Sequence, residues 1–547
     1  MHRNADALAA AVLLVVCAVL WVPRLAGPID LRYDAGVYYV LGTSLYEGHG
    51  YRLLNEPGAI EAIQYPPLLP TIVAAHQWLV GSRDPAVAGH VLRLTYLGIF
   101  IVYALAVYAL ARRWLRHGWA LVASLLVLLN LQLLWLSDTL FAELPFACVT
   151  ILFLLATERD DRRGTAALLG GAAYLLRSSG LALLAAWVAE ALWERRVLEA
   201  TLRAALAALP ILVWQAYVGE VQDGPGFTAP AYAYQREGYN FYNVAYSANL
   251  ALVDPFVPEL GTVNGGDLVR RVVANVVALP TSLGESVSVR AEGPLRPIFR
   301  LRDREPPATW SLTISRAGFA AMGLVAAAGL GMLFLDGIRL PPLYWSAALG
   351  LMVVVPWPSQ FGRYLMPLAP LTAIGLTLVF ANATRLASRL VQAAIGAAVG
   401  IVLTAQILVL GAVFTDRHEP VATTPHTTPQ RLFFYRPSWQ LHDEALAWLA
   451  AHAGRDDVVA TATPQRLYLA SGLRTVFPPF EPDPDAAERL LAAVPVTWVV
   501  IDGLDFLDVS PRYAEPAMAA HPERWRLVYE GLPEGSRVYQ RVRAVAP

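Results

Sequence analysis

The sequence predicts an all-α polytopic membrane protein followed by a small C-terminal α/β domain. Three observations carry that prediction. Of the 547 residues, 56% are hydrophobic and only 16% charged, and apolar runs near the ~20 residues that cross a bilayer recur through the first three quarters. Short arginine-rich connections alternate with longer polar ones. Beyond Phe414 the long apolar runs stop and short alternating segments take over. A net charge of −1 gives no bulk attraction to nucleic acid.

Taken in order, spans are expected at 6–26, 87–111, 118–137, 139–157, 165–177, 179–193, 204–219, 316–335, 341–357, 364–382 and 391–413, about eleven in all. His2 and Arg3 precede the apolar run Ala7 to Leu20, as in a signal peptide. No small-residue cleavage site follows and further spans do, so this segment is expected to be a retained first helix. The segments 165–177 and 179–193 are short and meet at Arg177-Ser178-Ser179-Gly180, which leaves a pair of short helices open. Cys17 and Cys148 lie inside apolar runs and fit packing roles, not a disulfide framework.

Orientation follows from the basic residues. Arg112, Arg113 and Arg116, then Arg159, Arg162 and Arg163, then Arg195, Arg196 and Arg203, then Arg339, then Arg385 and Arg389 occupy every second connection. The positive-inside rule assigns those to the cytoplasm together with the N-terminus. The outer loops are then 27–86 and 220–315, with 358–363 and everything after about 414 on the same side. The expected division is a membrane domain over 1–413 and an extracytoplasmic domain over 414–547, in a plasma (inner) membrane. In the latter, a polar stretch Thr415 to Gln430 leads to a helical period over Leu441 to Ala453. Asp457 to Thr461, Trp498 to Ile501 and Trp525 to Tyr529 are expected strands, and Leu467 to Ser471 is helical or extended. It holds no phosphate loop or dinucleotide fingerprint.

The first outer loop carries the most chemistry. It reads Tyr33-Asp34-Ala35-Gly36-Val37-Tyr38-Tyr39, then Glu47-Gly48-His49-Gly50-Tyr51, then Gln64-Tyr65-Pro66-Pro67-Leu68. A helix over Asp34 to Tyr46 puts Asp34 and Tyr38 on one face, one turn apart. Val37, Leu41 and Leu45 would form an apolar stripe suited to the membrane surface. Gly48 and Gly50 end that helix, and Tyr65-Pro66-Pro67 forces an extended turn before a second helix, Leu68 to Val80. Taken alone, Asp34 reads as a cap of a surface helix.

The three elements together resemble the first outer loop of GT-C membrane glycosyltransferases, especially the protein O-mannosyltransferase and aminoarabinose transferase group. In that family an Asp begins a loop helix, a Gly-x-Gly-Tyr-like turn follows, and Tyr-Pro-Pro-Leu opens the next helix. Here these are Asp34, Gly48-His49-Gly50-Tyr51 and Tyr65-Pro66-Pro67-Leu68. Many members carry Asp-Glu where this chain has Asp34-Ala35, so any role of that Glu is absent or supplied from elsewhere. The resemblance extends loosely over the membrane part. It implies a GT-C type fold and inverting transfer of a sugar from a polyprenyl-phosphate donor to an extracytoplasmic hydroxyl on a lipid, glycan or protein. Asp34 would be the general base, and Tyr38, Tyr65 and Pro66 would line the substrate site. A lipid phosphate leaves as a stable anion, so nearby cations can replace a general acid.

Five further polar positions come with the resemblance. Members carry an acidic residue near Asp138 or Glu143. The two lie five residues apart and cannot share a helix face, and as alternatives Asp138 can cap a helix and Glu143 can complement its dipole. Arg363 and Tyr364 match an Arg-Tyr-x-x-Pro-like motif, where the guanidinium binds the lipid phosphate or else snorkels to the interface. Arg177, within an apolar stretch, meets the donor head or marks a helix break. The aromatic run Tyr232, Tyr234, Tyr239, Phe241, Tyr242 and Tyr246 can stack on sugars but is expected to be structural. His49, His76 and His90 lack metal-ligand spacing, and no metal or cofactor is expected. Two rival readings are a flippase for lipid-linked glycans, which should show symmetric halves and broken charged helices, and a non-catalytic membrane scaffold.

Overall fold

Every apolar stretch anticipated above is helical, but fewer reach spanning length than the sequence counts. The computed structural model describes residues 2–157, 163–290, 309–386, 388–415, 435, 437–504, 507–531 and 535–542. Arg159 and Arg162, the polar stretch after Thr415, and 291–308 of the second outer loop lie outside the described residues. Among the described residues six helices are long and apolar enough to cross a membrane: Asn4–Arg24, Pro85–Ala111, Val197–Asp223, Leu312–Leu335, Met366–Arg385 and Arg389–Thr415. The expected span 118–137 is instead two helices, His117–Leu128 and Leu131–Asp138, bent by 59°. Asn130 makes the break, since its side chain caps the second piece by accepting from Gln132 N. Glu143–Thr157, Gly164–Leu176 and Gly180–Trp193 are apolar but short, as is Leu340–Met352. The expected count of about eleven is therefore not reached by helices of spanning length.

Chain contacts divide the molecule into two compact units. The first comprises Met1–Leu25, Arg93–Val213 and Leu268–Arg417, and it is helical. Its helices differ in what they bury. The apolar window of Met366–Arg385 is 78% buried, whereas those of Val197–Asp223 and Arg389–Thr415 are 22% buried, so the former is central and the latter two are largely exposed. Close packing in the centre relies on small residues. A Cβ on Gly329 would lie 1.9 Å from the Gly375 carbonyl oxygen, so the helices carrying them can approach backbone to backbone.

The second unit gathers Ala26–Leu92, Trp214–Asp267 and His418–Pro547. Helices Asp34–Tyr46 and Leu68–Val80 have the expected bounds. They pack so closely that a Cβ on Gly42 would meet Val73 at 2.5 Å, and Gln77 Nε2 donates to Thr43 Oγ1 at 2.9 Å. Between them β1 (Arg52–Leu53) and β2 (Ile60–Glu61) form an antiparallel hairpin with Leu53 opposite Ile60. The apolar stripe does not lie on a membrane surface. Val37 and Leu41 are buried with Leu53, Ile60 and Ala62, because the hairpin folds over that helix face.

The C-terminal segment forms a five-stranded sheet from β3 (Val458–Ala460), β4 (Arg474–Val476), β5 (Val496–Ile501), β6 (Trp525–Glu530) and β7 (Arg537–Arg541). Their spatial order is β4-β3-β5-β7-β6. β3 runs parallel to β4 and β5, while β7 is antiparallel to β5 and β6. Leu467 to Ser471 is helical, within Pro464–Ser471. β5 is buried on both sides, as a continuous apolar run requires. Trp498 and Val500 face Leu446 and Leu449 of helix Pro437–His452; Val499 and Ile501 share the other core with Tyr232 and Tyr234. These two tyrosines of the second outer loop are therefore core residues. The sheet edge is also joined to the first outer loop: Thr475 N donates to Asn55 O at 2.7 Å, and Asn55 Nδ2 donates to Thr475 O at 3.1 Å.

Candidate active site

Asp34 is the first residue of its helix, not the cap. The cap position belongs to Tyr33, whose φ of 59° is costly for a residue with a Cβ. Its neighbours hold that turn. Asp30 accepts from Arg32 Nε at 2.9 Å and Nη2 at 2.6 Å, the Arg32 guanidinium lies 5.3 Å from the Trp439 ring, and Tyr33 meets Trp439 edge-on at 5.4 Å. The backbone strain at Tyr33 thus aims the residue that follows it.

The Asp34 side chain is half-buried, and its Oδ1 accepts from the Tyr242 hydroxyl at 3.0 Å. Rings surround that contact. Tyr65 lies 6.2 Å from Tyr242 and 4.7 Å from Tyr38. Tyr38 is almost fully buried, so it supports Tyr65 from beneath. The turn at Tyr65-Pro66, with Pro66 itself buried, is tied down by the Tyr51 hydroxyl, which donates to Tyr65 O at 2.9 Å. Of the residues singled out in the sequence, Asp34, Tyr38, Tyr65 and Pro66 are therefore brought together. Tyr242 was placed in a run of six aromatic residues expected to be structural, with no local signal to separate it from those neighbours.

In the helical unit, four more come together. Glu143 opens helix Glu143–Thr157 and is 1% exposed. Arg363 and Arg177 both bind its Oε1. Arg177 sits at the break between Arg163–Leu176 and Gly180–Trp193, where Gly180 N donates to its carbonyl at 2.8 Å; the pair of short helices is real. The Phe141 ring lies 4.1 Å from the Arg363 guanidinium and the Tyr364 ring 5.5 Å from that of Arg177. A third guanidinium, that of Arg290, lies 3.6 Å from where a Cβ on Gly362 would be; the sequence reading missed it. Two arginines share this one carboxylate, and each guanidinium carries five N–H donors. Such a cluster can receive an anion.

Asp138 does not join that cluster. It ends helix Leu131–Asp138 instead of capping the next one. Its Oδ1 lies 3.5 Å from Arg24 Nη1 and 3.3 Å from Arg93 Nη2, with all three side chains at most 2% exposed. Arg24 also donates to Leu134 O at 3.0 Å and Ser137 Oγ at 3.1 Å.

No family model matches the sequence, and no curated protein matches it either. Solved structures do. The oligosaccharyltransferase AglB from Archaeoglobus fulgidus, in complex with an inhibitory peptide and a dolichol-phosphate, is similar over 100% of this chain and 75% of that one, with TM-score 0.54 and 13% identity. The apo form of the Archaeoglobus fulgidus oligosaccharyltransferase gives TM-score 0.55 with the same coverage and identity. The chain has a GT-C fold. ArnT from Cupriavidus metallidurans in the apo state is similar over 98% of this chain and 97% of that one at 15% identity, but with TM-score 0.41. On a GT-C fold with six helices of spanning length, the protein is a multi-pass membrane protein. Among the described residues no group of three His, Cys, Asp or Glu side chains converges.

Proposed function

We propose that the protein transfers a sugar from a polyprenyl-phosphate donor to an extracytoplasmic acceptor hydroxyl, with inversion and with Asp34 as general base. The observation that carries this reading is the half-buried Asp34 carboxylate, set in a ring of tyrosines and oriented by a hydrogen bond. A base must be reachable by substrate yet fixed in direction. The acceptor oxygen attacks the anomeric carbon and passes its proton to Asp34. The bond from that carbon to the phosphate oxygen breaks, and the polyprenyl phosphate leaves with the electron pair. Arg363 and Arg177 are the cations that take up the growing charge, through forked hydrogen bonds to phosphate oxygens. Their shared hold on Glu143 keeps both guanidinium groups fixed before the donor arrives.

The donor class has two supports. AglB, a protein of the same fold, is a structure with dolichol-phosphate. The positive-inside rule also puts the first outer loop on the side where nucleotide sugars are absent, in a plasma (inner) membrane with a cytoplasmic N-terminus. The test is transfer by purified protein in detergent from a panel of polyprenyl-phosphate sugars. Asp34→Asn should lower kcat roughly 100- to 10,000-fold while donor binding and folding persist. Turnover near that of the parent would refute the base.

A further inference from the structure

We propose that Tyr242 positions the Asp34 carboxylate, and that the C-terminal sheet holds Tyr242 in place through Phe477. This rests on Asp34 being the base, and it gives the C-terminal segment a part in catalysis. The Tyr242 hydroxyl donates to Asp34 Oδ1 at 3.0 Å from 208 residues away in sequence. Fixing one oxygen sets the carboxylate plane, and so the direction in which the other oxygen points. The same logic applies to any base oriented by a third group.

A phenol can orient a carboxylate only if its own ring is held. Among the described residues, three rings pack against it. Tyr65 lies 6.2 Å away at 38°, Phe241 5.9 Å away at 75°, and Phe477 5.7 Å away at 33°. Phe477 follows β4 directly and is 3% exposed. Its carbonyl accepts from the Tyr234 hydroxyl at 3.2 Å, and its ring belongs to a buried cluster with Phe480, Val509 and Tyr513. Within that cluster Phe480 stacks on Tyr239 at 4.8 Å and on Tyr513 at 5.3 Å. Movement of β4 would therefore be felt first by Phe477, then Tyr242, then Asp34. Tyr242 touches the carboxylate but is not itself asked to exchange a proton with substrate; it is a positioning residue.

The test uses the full chain in detergent and separates kcat from KM. Tyr242→Phe keeps the ring and removes the hydroxyl, and it should lower kcat about tenfold with donor KM unmoved. Phe477→Ala should lower kcat by less, and the double variant should be no slower than Tyr242→Phe alone, because both losses pass through one contact. Phe477→Leu, which keeps apolar volume, serves if the alanine variant does not fold. A wild-type kcat in Tyr242→Phe would overturn the positioning role. A raised donor KM at unchanged kcat would make Tyr242 a donor contact instead. Losses that multiply in the double variant would remove Phe477 from the relay. Asp34→Asn run alongside keeps the two readings apart. If that variant still turns over, the base assignment fails, whereas an inactive Asp34→Asn beside a fully active Tyr242→Phe sinks only the positioning.

Discussion

Two clusters in the helical unit have the same composition and different surroundings. Asp138 is held by Arg24 and Arg93, Glu143 by Arg177 and Arg363. Both carboxylates are 1% exposed, but the first pair of arginines is 2% exposed, while Arg177 and Arg363 keep 18% and 11%. A guanidinium sealed from water must spend its donors on protein, as Arg24 does on Leu134 O and Ser137 Oγ. One left partly open can meet a ligand. Charge composition alone therefore does not separate the two clusters; access does.

The comparison breaks most sharply at Asp138. Replacing it with alanine leaves two buried guanidinium groups without their carboxylate, and unfolding stability should fall by about 3–5 kcal/mol. Thermal unfolding in detergent measures it, and an unchanged Tm would show that the cluster is not the staple its burial implies. Arg363→Ala should act on binding instead. Loss of charge-assisted hydrogen bonds worth about 1.5–3 kcal/mol would raise donor KM roughly 10- to 100-fold, with acceptor KM unmoved. Equal donor affinity in variant and parent would remove the phosphate role.

Asp502 sharpens the comparison from the other side, as a buried carboxylate in the C-terminal sheet domain. Burial pushes its carboxyl up to about 6, against hydrogen bonds from Ser510 and Leu504 that pull the other way. Between pH 4 and 6 the folded chain keeps a proton that the unfolded chain releases. Stability should thus fall as pH rises through that window and level off above it. Asp502→Asn should abolish the slope and gain on the order of 1–2 kcal/mol above pH 6. An unaltered pH–Tm curve would count against the burial effect.

What the sequence made legible was local. Helices Asp34–Tyr46 and Leu68–Val80 could be bounded because Gly48, Gly50 and Pro66-Pro67 act within a few residues. Arg177 stood out as a charge in an apolar stretch, while Glu143 and Arg363 were singled out by the family resemblance. That they converge was not legible, since Arg363 and Glu143 are separated by 220 positions and no periodicity spans that distance. The Val37–Leu41 stripe was assigned to the membrane because Leu53 and Ile60, which cover it, belong to a hairpin that only the fold brings back. Tyr242 and Arg290 were illegible for the same reason: each is ordinary in its own segment. The 59° bend at Asn130 did have a local signal, a capping residue inside an apolar run.

The bond between Asn55 and Thr475 joins positions 420 apart, and it has a consequence for biosynthesis. The loop over 27–86 is made early in translation, yet the strand edge that clamps it is made only after the helical part. Until then the loop waits without its partner. A chain interrupted after residue 415 should keep its apolar helices and still lack a settled loop over 27–86, so the late-made sheet decides when that loop takes its final form.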